Sequence, residues 1–151
     1  MGLDMYLEKR TDVRLWNFQK PEEQFEVVVK KGGVTYPNFN PEKVTTVVEE
    51  IGYWRKANQI HKWFVDNVQN GVDNCSEYFV PISSLEKLLE LCEKVKADNT
   101  LARTLLPTAS GFFFGGEEYD EWYFNDINHT IEVLTEALSD KNGSYYYSSS
   151  W

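Results

Sequence analysis

The sequence predicts an α+β fold in a single domain, a small antiparallel sheet packed by about three helices, and three observations carry that expectation. Apolar residues alternate at the N-terminus, the period changes to three and four after Tyr53, and Pro, Gly and Asn cluster between the periodic stretches. Leu3, Met5 and Leu7 alternate with Asp4, Tyr6 and Glu8, so a first strand buries one face and shows Asp4 and Tyr6 on the other. "FEVVVKKGGVTY" reads as two strands turning at Gly32-Gly33, where glycine supplies the positive φ of a hairpin turn. Beyond two prolines, the β-branched run Val44 to Val48 favours another strand. From Tyr53 a helix is expected, with Ala57, Ile60, His61, Phe64 and Val68 on one stripe and an end before Gly71. In "PISSLEKLLELCEKVKAD", Ser83 and Glu86 have the spacing of a capping box, and Leu85, Leu88, Leu89, Cys92 and Val95 form the buried face. "NTLARTLLP" reads as a short helical turn and Phe112 to Phe114 as a strand between glycines. A last helix starts within "EEYDEWYFND", runs to about Leu138, and buries Tyr123, Ile127, Ile131, Leu134 and Leu138.

At 151 residues the chain is the size of one domain that buries a core without metals or disulfides. Its tail, "SDKNGSYYYSSSW", breaks the rule that chain ends are polar, so residues 139–151 are expected to dock on their own sheet or on a second copy, in a homo-oligomer. A net charge of −9 makes duplex DNA or RNA an unfavourable partner. It leaves room for a small anion, because solvent screens distant charge within about 8–10 Å. Cys75 and Cys92 in a chain whose start is too polar for a secretory signal, and with no membrane-spanning window, point to the cytoplasm and reduced thiols.

Aromatic content of 15% exceeds what so small a core needs, and the surplus gathers in two places. In "GYWRKANQIHKWFVDNVQNGVDNC", Trp54, Asn58, His61 and Lys62 lie along one border of the helical stripe, with Arg55 just beyond. A ring to stack on, an amide, an imidazole and cations are the groups that hold a nucleotide or another flat anion. In "LPTASGFFFGGEEYDEWYF", Thr108, Ser110, Tyr119 and Trp122 add polar edges and rings, and both stretches are expected to face one cleft. The plainer reading makes Trp54 and His61 boundary core residues and leaves the cations to solvate the helix. There is no HExxH, no CxxC, no nucleophile elbow and no phosphate-binding glycine loop, so no metal, cofactor or catalytic residue is assigned.

The strings "MGLDMYL", "GYWRKANQIHKWFVDNVQNGVDNC" and "LLPTASGFFFGGEEYDEWYF" resemble a family of small proteins encoded by bacteriophages and prophages, over about two thirds of the chain. The resemblance implies a phage accessory protein acting in the bacterial cytoplasm. Its role is expected to be similar to that of the anti-CBASS and anti-Thoeris sponges, which sequester nucleotide immune signals. The leading expectation is therefore binding, without turnover, of a small anionic ligand, a nucleotide first among them. Two alternatives stand beside it: a hydrolase of nucleotides or glycans working through Asp120 or Glu121, and an acidic inhibitor that docks on a host protein.

Overall fold

The computed structural model describes residues 2–151. The chain forms an α+β domain in which a four-stranded antiparallel sheet carries a layer of helices on one face, with a separate two-stranded ribbon. In chain order the elements are β1 (Asp4–Asp12), the ribbon β2 (Lys30–Lys31) and β3 (Val34–Thr35), β4 (Thr46–Arg55), α1 (Asn58–Asn67), β5 (Tyr78–Val80), α2 (Ile82–Ala97), the single turn α3 (Ala102–Leu105), α4 (Glu121–Ser139) and β6 (Ser144–Ser150). The sheet order is β4-β1-β6-β5.

The alternation in β1 works as expected: Leu3, Met5 and Leu7 are fully buried, while Tyr6 faces the open side of the sheet against Tyr53 at 5.4 Å. The aromatic tail becomes β6, an inner strand paired with β1 on one side and β5 on the other. Of its two expected placements, the tail takes the one on its own sheet. Tyr145 and Tyr147 enter the core, and the Tyr147 ring stacks on Phe64 of α1 at 3.9 Å with an interplanar angle of 7°. Such a pair adds about 0.5–1.5 kcal/mol to the burial of its area.

Helices α2 and α4 pack on each other and cover the sheet through Leu85, Leu88, Cys92, Val95, Ile127, Val133 and Leu134. Asp120 caps α4, its Oδ1 accepting the Tyr123 N–H at 3.1 Å.

Four local expectations are corrected. The helix expected from Tyr53 starts at Asn58, because Tyr53, Trp54 and Arg55 stay in β4, paired with Tyr6, Met5 and Asp4. The Ser83–Glu86 capping box does not form; α2 starts at Ile82 behind Pro81, with no side-chain cap. Phe112 to Phe114 is not a strand but a turn with Phe113 at φ 67°, which leaves Phe112 exposed and turns Phe114 inward. The hairpin expected over Phe25 to Tyr36 pairs only at its tip, around Gly32 (φ 60°) and Gly33 (φ 81°).

Candidate functional site

The turn from β4 into α1 has no glycine. Lys56 takes a left-handed backbone at φ 61°, held by its N–H on Leu3 O at 2.7 Å and by the Asn58 N–H on its own carbonyl at 2.9 Å. A non-glycine residue in this region is strained, and such strain gathers at functional sites. The next residue but one fixes the facing loop. Asn58 is buried; its Nδ2 donates to Phe114 O at 3.2 Å and Gly116 O at 2.8 Å, and its Oδ1 accepts the Ala109 N–H at 3.0 Å. Gly115, at φ 93°, lies so close that a Cβ there would stand 3.0 Å from Lys56 Cβ.

Between this junction, the 108–118 loop and the first turns of α4 lies a cavity of about 300 Å³. Arg55 and Lys56 line it together with Asn58, Gln59, Thr108 and the glycines 115 and 116, and Glu118, Asp120, Trp122, Tyr123 and Asp126 of the C-terminal part complete it. Neither Arg55 nor Lys56 enters an ion pair among the described residues. Trp122 is 77% exposed, so its indole is free at the cavity while its helix is firmly packed. Trp122 and Asp126 are four residues apart on α4 and therefore share a face. Burial raises the Asp126 carboxyl from 3.8 to about 6; a hydrogen bond from Gln59 and the nearby His129 oppose the rise. Among the described residues no cluster of His, Cys, Asp and Glu is arranged to hold a metal ion.

Of the residues the sequence put forward, Arg55, Asn58, Thr108 and Trp122 meet at this cavity, and Asp120 with them. The others do not line it. Trp54 is a core residue, 2% exposed, whose indole N–H donates to Thr130 Oγ1 at 2.9 Å. His61 is buried between Tyr147 and Asp73, with Nδ1 2.7 Å from the Tyr147 hydroxyl and Nε2 2.9 Å from Asp73 Oδ1. A carboxylate only accepts, so Nε2 carries the proton and Nδ1 accepts from Tyr147. Desolvation lowers the His61 pKa against the pull of Asp73 and keeps the ring neutral. Lys62 is half-buried, pairs with Asp66 at 2.6 Å, and borders a separate cavity of about 110 Å³. Ser110 is exposed outside the cavity, as is Glu121. Tyr119 stands behind the wall: its hydroxyl accepts the Thr108 N–H at 3.1 Å, its ring lies 4.9 Å from that of Tyr123, and Arg103 sits over it at 4.4 Å.

Sequence reasoning missed Lys56, Gln59, Glu118 and Asp126. The spacing of Trp122 and Asp126 was a usable signal, whereas the left-handed turn at Lys56 leaves no trace in residue type.

No family model, curated protein or solved structure matches the chain. The chemistry of the cavity is therefore read from its own side chains.

Proposed function

We propose that this cavity binds a small ligand that joins a flat ring to an anionic group, a nucleotide by class, and releases it unchanged. The observation that carries the reading is the meeting of Arg55, Lys56 and the exposed Trp122 at one cavity. Trp122 offers a stacking face, worth about 1–3 kcal/mol per base. Arg55 and Lys56 supply two cations for phosphate, and charge-assisted bonds of that kind are about twice as strong as neutral ones. Asp120 and Glu118 on the opposite side accept hydrogen bonds from the amino and imino edges of a base. At about 300 Å³ the cavity is at the small end of ligand sites, which suits one nucleotide unit or one half of a cyclic dinucleotide. The phage setting implied by the sequence resemblance gives such binding a use, the sequestration of a host nucleotide immune signal.

The test is a thermal-shift titration with mononucleotides and cyclic dinucleotides, followed by chromatography of the recovered ligand. The expected result is a shift that grows with ligand concentration, intact ligand, and loss of the shift in Trp122→Ala and in the Arg55→Ala, Lys56→Ala double variant at unchanged apo Tm. No shift with any nucleotide would sink the proposal.

One observation favours a second reading. Asp126, raised to about 6, shares the cavity with Asp120, and two carboxyls in unlike environments are what a hydrolase uses as acid and base. Under that reading Asp120 works with Asp126 and Glu121 takes no part, the recovered ligand is cleaved, and Asp126→Asn abolishes cleavage while keeping binding.

A further inference from the structure

The connection from β1 to β4, residues 13–45, is an arm that buries almost nothing. Val13 is its one buried side chain, while Leu15, Trp16, Phe18, Phe25, Val28 and Val34 are between 43% and 82% exposed. Apolar side chains rarely lie so open in a monomer unless a partner covers them. The arm also encloses a groove of about 440 Å³ lined by Val13, Leu15, Phe25, Val28, Tyr36 and Phe39 among others. Beside it the Trp16 and Phe18 rings stack on each other at 6.0 Å and 16°, a ready-made apolar knob.

The surface area says how much is left uncovered. The chain exposes 9486 Å², whereas a compact monomer of 17.6 kDa exposes about 7,900 Å². The excess, about 1,600 Å², is twice the roughly 800 Å² that each partner gives to a stable protein interface. Charge then selects the partner. Residues 13–45 hold five Lys or Arg and four Asp or Glu, net +1, in a chain of net −9, so the rest of the chain holds −10. Two copies repel through their bodies and escape that repulsion where arm meets arm. Within the arm, the basic ribbon (Lys30, Lys31) and the acidic 3-10 turn (Glu22, Glu23) lie on separate elements, so a two-fold axis can set one against the other.

We propose that residues 13–45 are a dimerisation arm, and that two copies of this chain pair about a two-fold axis with the Trp16–Phe18 knob of each seated in the apolar groove of the other. Such an interface is self-complementary and closed, which also keeps the open apolar surface from nucleating larger assemblies. The inference is independent of the ligand cavity, which lies on other elements.

Sedimentation velocity on the full chain from about 1 to about 100 µM tests it, a range that brackets the affinities expected of an ordinary interface. The expected mass at the upper end is twice 17.6 kDa. Phe18→Asp, at a side chain already 82% exposed, should raise the dimer Kd about 100-fold, the loss expected when a central aromatic anchor is removed, with the monomer's circular dichroism unchanged. Phe25→Asp in the groove should do the same. Phe112→Asp, at an equally exposed phenylalanine outside the arm, should leave the mass as it was. A chain that stays at 17.6 kDa throughout the range, or a dimer that Phe18→Asp and Phe25→Asp leave intact, overturns the proposal.

Discussion

Asp126→Asn should make the protein more stable at neutral pH and no more stable at pH 4. The carboxyl of Asp126 is raised from 3.8 to about 6 by burial, so the native state holds its proton to a higher pH than the unfolded chain does. Where the native state binds more protons, stability falls as pH rises, and the fall is confined to the window between about 4 and 6. Above it, wild type carries the full cost of a half-buried carboxylate. A displacement of two pH units corresponds to roughly 3 kcal/mol, and solvent at the open cavity reduces that to about 1–2 kcal/mol. For a chain of this size the gain in Tm is about 3–6 °C. The amide keeps the shape and the Gln59 contact while removing the charge. The assay is differential scanning calorimetry of both proteins at pH 4 and pH 7.5. Comparison of the two proteins at each pH cancels the titration of every other group, His61 included. An equal gain at both values would show that packing, not ionisation, is responsible, and a loss at pH 7.5 would refute the assignment of a strained carboxyl to this cavity.

Four further outcomes follow from the same structure. Gly52→Ala places a Cβ 2.6 Å from Val133 Cγ1 and 2.8 Å from Trp54 Cη2, both well packed, so urea unfolding should show a loss of about 1–3 kcal/mol. Tyr147→Phe removes the donor to His61 Nδ1 and strands a buried acceptor, costing about 1–3 kcal/mol by the same measurement. His61 itself, with its folded pKa held below 6.5, contributes stability that is complete above pH 6.5 and fades as pH falls below it, a fade that His61→Gln should flatten in a pH series of melts. Cys75 is exposed and Cys92 is buried with its thiol pushed up to about 12, so a thiol reagent should titrate one cysteine in the native protein and two in denaturant.

The elements with a strong local period were legible from residues alone. The α2 stripe of Leu85, Leu88, Cys92 and Val95 is buried as its spacing requires, and so are Met5 and Leu7 of β1. What was not legible depended on partners distant in the chain. Trp54 and Arg55 read as helix because the stretch after them is helical, yet pairing with Met5 and Asp4, some fifty residues earlier, keeps them extended. That difference moved the whole site: on a helix Trp54 would sit beside Asn58 and His61, whereas on β4 it points into the core and leaves Arg55 at the cavity. The aromatic tail announced that it would dock, but only the topology makes it an inner strand between β1 and β5.

The residues that the sequence grouped around α1 therefore act mostly as the frame of the cavity. Asn58 uses three hydrogen bonds to hold the 109–116 loop, which spends both donors of its amide and brings Gly115 and Gly116 to the wall. Trp54 donates to Thr130 Oγ1, and that hydroxyl in turn donates to Asp126 O at 2.7 Å, so the core tryptophan fixes the backbone of the carboxyl that faces the cavity. His61, through Tyr147, ties α1 to the inner strand β6. A small domain with few elements sets a few solvent-facing groups, Arg55, Lys56 and Trp122, by filling its buried positions with polar side chains whose partners lie far along the chain. The same requirement explains why an amide and an imidazole stand where an apolar side chain would have been the cheaper choice: each fixes a direction that an apolar contact leaves loose.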